Sequence, residues 1–263
     1  METVTYTPAN ELGVAHIELN RPKVRNAVND QLLLDLRSAM IEFDEDENAR
    51  AAVLSGVGKA FSSGADLRES HLRPVEEVSK VGGPSSRQTK NKGSLFFEST
   101  NAKPLIAAVH GYVLGTAIRL ALTCDYVVAE SGTQFQLTEV AIGLDVTGLW
   151  FLLNARGGGV FADDVSLTGR FWSAEEGLKH GIINEVSERG EYFERAMLVA
   201  GQIAALPSDA VQAVVRVRRQ VLAESHVKAQ GLAPKGLHKS GIYRAEAEKF
   251  FASKKGSNQS DAS

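Results

Sequence analysis

Short apolar segments with the pattern of buried strands alternate along this chain with segments of helical spacing, and this alternation constrains the fold more than any other feature. Residues 14–19 (VAHIEL) alternate between apolar and polar side chains, which predicts a half-buried strand. Further apolar runs predict strands at residues 51–54, 104–109, 126–129 and 182–186. Because strands and helices alternate, we expect an α/β fold.

Helix signals separate these strands and dominate the C-terminal part of the chain. Asn29 is a predicted N-cap of a helix that runs to about Phe43. Ser173 and Glu176 form a capping box at the start of another helix. From residue 190 onward helical spacing prevails, which predicts a helical C-terminal region.

The predicted organisation has three parts. We expect a core over residues 1–190, a helical region over 191–253 and a polar, disordered tail over 254–263. Residues 80–93 are rich in Gly, Ser and Lys without an apolar period, and this composition predicts a mobile stretch inside the core.

Composition and length narrow the class of protein. The chain has 263 residues, of which 43% are hydrophobic and 23% charged, and its net charge is −3. These values are typical of a soluble globular protein with a full core. No apolar run approaches the roughly 18–20 residues of a membrane span, and the first residues lack the pattern of a signal peptide. We therefore expect a cytoplasmic protein that does not act at a membrane.

Cysteine and histidine usage argue against metal chemistry. Cys124 is the only cysteine, which excludes an intramolecular disulfide and a cysteine metal cluster. The six histidines show no ligand spacing such as HxxxH. We therefore expect no metal site, and we expect His110, which ends the apolar run at 104–109, to be a structural hydrogen-bonding residue.

The charges are unevenly distributed along the chain. Residues 216–255 contain ten Lys and Arg against three Glu, a net charge of +7, and the rest of the chain carries 19 basic and 29 acidic residues, a net charge of −10. A basic segment on an acidic body indicates either an anionic partner or a solvated helical face. Nucleic acid is disfavoured as the partner, since few aromatic residues lie among these charges.

Three segments carry a family resemblance through their order and spacing. They are residues 19–27 (LNRPKVRNA), 59–67 (KAFSSGADL) and 103–115 (KPLIAAVHGYVLG). Together they resemble the enoyl-CoA hydratase/isomerase (crotonase) superfamily. The resemblance covers about residues 10–190 well and the C-terminal region loosely.

This resemblance implies a fold, a substrate and an assembly. The implied fold is an α/β spiral of repeated ββα turns with a helical C-terminal region, assembled as a homotrimer or hexamer. The implied substrate is a coenzyme A thioester, as in fatty acid metabolism, with no permanently bound cofactor. The implied chemistry is stabilisation of a thioester enolate by two backbone N–H groups.

The resemblance also assigns residues to this chemistry. The two N–H donors are those of Ala65 and Thr116, which follow Gly64 and Gly115. Glycine permits a close backbone approach, and a helix that begins near residue 116 offers free N–H groups. The alternative for both glycines is an ordinary turn.

Coenzyme A itself has implied contacts. Arg25 lies near its phosphates by resemblance, with a surface arginine as the alternative, and Ser63 lies beside the adenine or pantetheine through its backbone. The basic segment at 216–255 could also meet these phosphates.

The chain departs from the pattern of the superfamily at one of the two positions that carry the acids used in hydration. Hydration uses two glutamates that hold and activate a water. Arg119 occupies the first position and Glu139 the second. Because an arginine stays cationic, it cannot act as a base. Leu149 and Trp150 also replace small residues, which predicts a filled or reshaped acyl pocket.

One base opposite two N–H donors favours proton transfer over hydration. We therefore expect isomerisation of a 3-enoyl-CoA to a 2-enoyl-CoA, with Glu139 as the base. A salt bridge between Glu139 and Arg119 is the structural alternative. Other open functions are an enoyl-CoA hydratase, a decarboxylase or hydrolase in which Arg119 holds a substrate carboxylate, and an acyl-CoA-binding protein without turnover.

Overall fold

The structure is a computed structural model that describes residues 1–66 and 102–232. The stretch predicted to be mobile, 80–93, and the predicted tail, 254–263, lie outside the described residues. Within the described ranges no single helix is long and apolar enough to cross a bilayer, and one bent pair, Tyr192–Ala204 with Ser208–Ala229, meets the length and composition test.

The described residues include nine strands and seven α-helices. The strands are β1 Val4–Thr7, β2 Val14–Leu19, β3 Ala51–Gly56, β4 Leu105–Val109, β5 Tyr112–Leu114, β6 Tyr126–Glu130, β7 Gln134–Gln136, β8 Trp172–Ser173 and β9 Glu185–Ser187. The helices are α1 Asp30–Glu45, α2 Thr116–Thr123, α3 Thr147–Gly157, α4 Gly159–Thr168, α5 Ala174–Lys179, α6 Tyr192–Ala204 and α7 Ser208–Leu232. Short 3-10 helices follow at Pro22–Val24 and Val140–Ile142.

The described strands form two separate sheets. The larger sheet has the order β1-β2-β3-β4-β6-β9, and the smaller has the order β5-β7-β8. In the larger sheet only β1 runs antiparallel to its neighbour. From β4 to β7 consecutive strands alternate between the sheets, since β4 and β6 lie in one and β5 and β7 in the other. Helix α2 follows the first of these pairs, and this ββα order confirms the predicted α/β spiral fold.

Local sequence signals form the predicted caps. The Asn29 side chain accepts a hydrogen bond from the N–H of Leu32 at 3.0 Å and caps α1. The Ser173 hydroxyl accepts from the N–H of Glu176 at 3.2 Å and caps α5. Both caps satisfy N–H groups that a helix start leaves without a partner.

The larger sheet is covered on both faces. On one face Ala15, Ile17 and Leu19 pack in a core shared with α1 and α2. On the other face α6 packs through small residues such as Ala196 and Ala200. Parallel strands buried on both faces read as continuous apolar runs, as the sequence of β4 does.

Helix α7 is fastened to the core by an ion-pair cluster. Arg218 and Arg219 both pair with Asp125, and Asp125 also accepts from the N–H of Leu105 at 2.8 Å. Arg218 and Arg219 are therefore engaged in ion pairs within the protein, and an anionic partner of the basic segment stays a prediction.

The strand predicted at 182–186 is wrong in its position. The observed strand β9 is Glu185–Ser187, and Ile182 and Ile183 are buried in the preceding turn. The N–H groups of both isoleucines donate to the carbonyl of Gly177 at 2.8 and 3.2 Å. These bonds hold the apolar pair against the end of α5, so only the following residues pair with β6.

Candidate active site

Asn26 builds the first turn of the candidate site. It is fully buried and adopts a left-handed backbone, with φ of 53°, a conformation that Asn tolerates better than most residues. Its side-chain amide donates to the carbonyls of Val57, Ala60 and Phe61 at 2.9–3.1 Å. The Ser62 hydroxyl donates to the Asn26 carbonyl at 2.7 Å. Asn26 thus fixes the loop that leads to Gly64.

The bonds on either side of Ala65 hold its backbone in place. The Gly64 carbonyl accepts from the N–H of Val28, and the N–H of Asp66 donates to the Val28 carbonyl, both at 2.8 Å. Within residues 1–66 and 102–232 the N–H of Ala65 has no acceptor. A fixed N–H group of this kind can bind an oxygen of a ligand.

The second turn lies directly beside the first. The N–H of Leu114 donates to the Ser62 carbonyl at 3.2 Å, and a Cβ at Gly64 would overlap the Leu114 carbonyl. Gly115, with φ of 49°, precedes the first residue of α2, Thr116. The two predicted donor turns are therefore brought together, as the sequence interpretation requires.

Glu139 lies against this second turn. It precedes the 3-10 helix Val140–Ile142, and its carboxylate is so close to Gly115 that a Cβ there would overlap it. The N–H of Thr116 is near enough to this carboxylate to lower the pKa of Glu139, and the Thr138 hydroxyl lies 3.4 Å from Oε2. Glu139 therefore lies beside the group that was predicted to hold the thioester oxygen.

The electrostatic environment makes Glu139 a stronger base than an ordinary glutamate. Burial is the largest influence and raises the pKa of Glu139, while Arg119 and the Thr116 N–H lower the pKa without reversing the shift. The pKa of Arg119 is lowered by burial, and Glu139 and Asp145 oppose this effect. Arg119 thus faces two carboxylates of the protein.

The loop after Glu139 is only partly as predicted. Leu149, in the first turn of α3, is buried in the core. The indole N–H of Trp150 donates to Asp163 of α4 at 2.7 Å. The Asp145 carboxylate accepts from the N–H of Thr147, the first residue of α3, at 2.8 Å. A role of Trp150 in the acyl pocket stays a prediction.

Arg25 and Ser63, the predicted coenzyme A contacts, are neighbours. The N–H of Ser63 donates to the Arg25 carbonyl at 2.9 Å, and its hydroxyl donates to the Val24 carbonyl at 3.3 Å. The Arg25 side chain is exposed at the protein surface. Their contacts with coenzyme A stay predictions.

His110 has the structural role that the sequence predicted. Its Nε2 lies 2.8 Å from the Gly58 carbonyl, and its ring stacks on Tyr192 with centroids 4.7 Å apart. In the part of the chain that the structure describes, no three His, Cys, Asp or Glu side chains are grouped so that they could hold a metal ion.

Sequence reasoning missed three residues around the site. Asn26 lies within the motif segment 19–27, where its polar side chain beside Ala27 was a usable signal. His226 lies on the packed side of α7, one turn after Leu222, and helical spacing could have placed it there. Thr147 has no comparable sequence signal.

Comparison with known proteins agrees with this geometry. The sequence model of the family described as Enoyl-CoA hydratase/isomerase matches residues 9–254. A probable enoyl-CoA hydratase from Rhizobium meliloti is 33% identical over 229 residues, which are 85% of each chain. A mevalonyl-coenzyme A hydratase from Beauveria bassiana is 36% identical over 200 residues, which are 74% of this chain and 71% of the relative.

Solved structures show the same fold. An enoyl-CoA hydratase/isomerase from Pseudoalteromonas atlantica T6c has a TM-score of 0.80 at 26% identity, with 95% of this chain and 97% of that chain covered. A carnitinyl-CoA dehydratase from Mycobacterium avium 104 has a TM-score of 0.77 at 29% identity, with 94% and 95% covered. The chain therefore belongs to the enoyl-CoA hydratase/isomerase family, as an acyl-CoA enzyme with the crotonase fold.

Proposed function

We propose that this protein converts a 3-enoyl-CoA to the conjugated 2-enoyl-CoA, with Glu139 as the only base. One observation carries the proposal. The Glu139 carboxylate lies against the start of α2, while Arg119 stands where a hydratase of this superfamily has its other glutamate.

The residues of the site suit each step of this reaction. Glu139 accepts the proton from C2 of the thioester, and the electron pair of the C–H bond moves into a dienolate. The N–H groups of Ala65 and Thr116 donate to the dienolate oxygen and stabilise its charge. Glu139 then returns the proton to C4, which places the double bond between C2 and C3. No water is consumed, and the carboxylate is regenerated.

Hydration is the second candidate, because the relatives named above include hydratases. It requires a base that activates water and an acid that protonates C2. Arg119 stays cationic and cannot exchange a proton in this way. Asp145, the nearby second carboxylate, accepts a hydrogen bond from the backbone of α3.

The Arg119 environment also disfavours the other enolate reactions. A decarboxylase or hydrolase that holds a substrate carboxylate needs a cation available to it. Glu139 and Asp145 already act on the charge of Arg119, so a substrate carboxylate would compete with two carboxylates of the protein for this arginine.

The remaining assignments belong to the same proposal. Arg25 contacts the phosphates of coenzyme A, and the backbone of Ser63 contacts its adenine or pantetheine. Gly64 and Gly115 allow the acyl group to approach the two donor N–H groups. Trp150 forms part of the wall that limits the acyl chain.

Assembly and location complete the proposal. We propose a homotrimer or hexamer in the cytoplasm, active in fatty acid metabolism. Strongly exposed apolar side chains on two helices support an association surface: Val160 and Leu167 on α4, and Val214 and Val217 on α7. Light scattering of the purified protein measures the number of subunits, and a monomer at micromolar concentration would contradict this part.

Glu139→Gln tests the catalytic assignment. The isomerisation rate with 3-enoyl-CoA, followed by the absorbance of the conjugated thioester, should fall about 100- to 10,000-fold, the range for removal of a general base. Glu188→Gln, at an exposed position after β9, is the matched control and should keep the wild-type rate.

Three results would contradict the proposal. Unchanged activity in Glu139→Gln would remove Glu139 as the base. Formation of 3-hydroxyacyl-CoA from 2-enoyl-CoA would replace isomerisation by hydration. Binding of both thioesters without turnover would make the protein a binding protein for the substrates tested.

A further inference from the structure

Two buried polar atoms near the candidate site have no hydrogen-bond partner in the described residues. They are Oγ1 of Thr147 and Nδ1 of His226. His226 is only 2% exposed. A buried polar atom without a partner is destabilising, and most such atoms in folded proteins are satisfied. A pair of them beside an acyl-CoA site indicates a ligand group that would complete their bonds.

The two atoms belong to one cluster. The rings of Phe151 and His226 lie 5.6 Å apart between centroids. Thr147 precedes Phe151 by one turn of α3, so both side chains face the same side of the helix, toward α7. Arg119 lowers the pKa of His226, and Asp145, which accepts from the N–H of Thr147, raises the pKa of Arg119. We call Arg119, Thr147, Phe151 and His226 the α3–α7 subsite.

This subsite adjoins the base. Arg119 also acts on the charge of Glu139, which lies against the start of α2. Arg119, Thr147 and Glu139 are all partly exposed. The subsite is thus next to the proposed base, at a position that an acyl chain bound at Glu139 would have to reach.

The chemistry of the subsite selects a neutral polar group. A carboxylate on the acyl chain would join Glu139 and Asp145 around a single arginine. Burial and Arg119 lower the pKa of His226 to about 4, so its imidazole is neutral at neutral pH. A threonine hydroxyl and a neutral imidazole can each donate or accept a hydrogen bond. A hydroxyl group, which also donates and accepts, matches both.

We propose that the α3–α7 subsite binds a hydroxyl group on the acyl chain, so that hydroxylated acyl-CoA thioesters are preferred over plain alkyl ones. The proposal rests on the acyl-CoA function proposed above, and it names the substrate class of that site. Thr147 and His226 are the residues that recognise the hydroxyl group, and Phe151 is the apolar wall beside it.

Binding of saturated thioesters tests this subsite without requiring turnover. Hexanoyl-CoA, 5-hydroxyhexanoyl-CoA, 6-hydroxyhexanoyl-CoA and adipyl-CoA are titrated into the protein by calorimetry. At least one hydroxylated thioester should bind about tenfold more tightly than hexanoyl-CoA, as expected for buried polar atoms that gain a partner. Thr147→Val and His226→Phe should each remove most of this preference while hexanoyl-CoA binding stays within about twofold.

Ser166→Ala is the matched control, because it removes another buried hydroxyl without a partner in the described residues, on α4 outside the subsite. It should keep the full preference, and all variants should show cooperative thermal unfolding.

Each other result overturns part of the account. Hexanoyl-CoA or adipyl-CoA as the tightest ligand would overturn the hydroxyl preference. A preference that survives in both variants would overturn its location. Failure of every thioester to bind would overturn the acyl-CoA function as well, whereas binding without preference would overturn the subsite alone.

Discussion

The two donor turns of this protein, at Gly64–Ala65 and Gly115–Thr116, look alike in the sequence and differ in the structure. Both glycines have a left-handed backbone, with φ of 84° and 49°. The N–H of Ala65 has no acceptor in the described residues, and the N–H of Thr116 lowers the pKa of Glu139. The second donor is therefore coupled to a carboxylate of the protein, and the first donor is not among the groups that shift this pKa.

The groups that lie against the two glycines also differ. A Cβ at Gly64 would overlap the backbone carbonyl of Leu114, but a Cβ at Gly115 would overlap the carboxylate of Glu139. A glycine is therefore needed at position 64 because the two turns pack closely. A glycine is needed at position 115 because the Glu139 carboxylate lies against it.

In the proposed mechanism the second donor links substrate binding to the strength of the base. The N–H of Thr116 lowers the pKa of Glu139. If a thioester oxygen accepts from this N–H, the proposal predicts that its influence on Glu139 weakens and that the pKa of Glu139 rises further.

A large effect on the rate, below that of Glu139→Gln, is expected from removing the second donor alone. Thr116 is the first residue of α2, a position where proline is well tolerated because its N–H is not needed by the helix. Thr116→Pro should lower kcat for isomerisation about 100- to 1,000-fold, as for loss of one donor to an oxyanion. Stopped-flow absorbance with 3-enoyl-CoA measures this rate.

Thr116→Ala is the matched variant, since it keeps the N–H and removes the side chain. It should stay within about threefold of the wild type. Equal rates in the proline and alanine variants would show that this N–H does not stabilise the dienolate.

Replacing each glycine by alanine distinguishes an effect on stability from an effect on catalysis. Gly64→Ala should lower the free energy of unfolding by about 3 kcal/mol, since it adds backbone strain and a collision with a carbonyl. Gly115→Ala should cost about 1–2 kcal/mol, because the Glu139 side chain can move away, but it should lose isomerase activity. Urea unfolding measures the stability of both variants, and the isomerase assay measures their activity. A larger loss of stability in Gly115→Ala than in Gly64→Ala would contradict the comparison of the two turns.

The smallest expected effect is a shift in the pH dependence. Isomerisation requires Glu139 as a carboxylate, so the rate should rise as the pH increases through its pKa. Arg119 lowers that pKa, and Arg119→Met should therefore raise it and move the rise in rate to higher pH. Arg119→Lys should retain most of the wild-type profile. A shift to lower pH in Arg119→Met would show that the arginine does not act on Glu139.

Local patterns predicted much of the fold. The alternation in residues 14–19, the N-cap at Asn29 and the capping box at Ser173 all have structural counterparts. The sequence could not locate the strand β9, because Ile182 and Ile183 have the same apolar character in a turn as in a strand. The hydrogen bonds that their N–H groups donate to the Gly177 carbonyl, near the end of α5, favour the turn.

The candidate site was predictable in position but not in its contacts. The family resemblance assigned Ala65, Thr116 and Glu139 to the site, and the structure places the Glu139 carboxylate against Gly115, the residue before Thr116. The influence of the Thr116 N–H on Glu139, the partial burial of Arg119 and the buried place of His226 depend on how distant segments pack. One-dimensional spacing contains no information on such contacts.

Mass analysis of the products in water labelled with oxygen-18 tests the central claim, that one base at Glu139 moves a proton without adding water. Wild-type protein should convert 3-enoyl-CoA to a 2-enoyl-CoA of unchanged mass, and should add no label to either thioester. Glu139→Gln should lose this conversion. A product heavier by one labelled water, formed by the wild type and lost in Glu139→Gln, would show that the same glutamate performs hydration and would contradict the account.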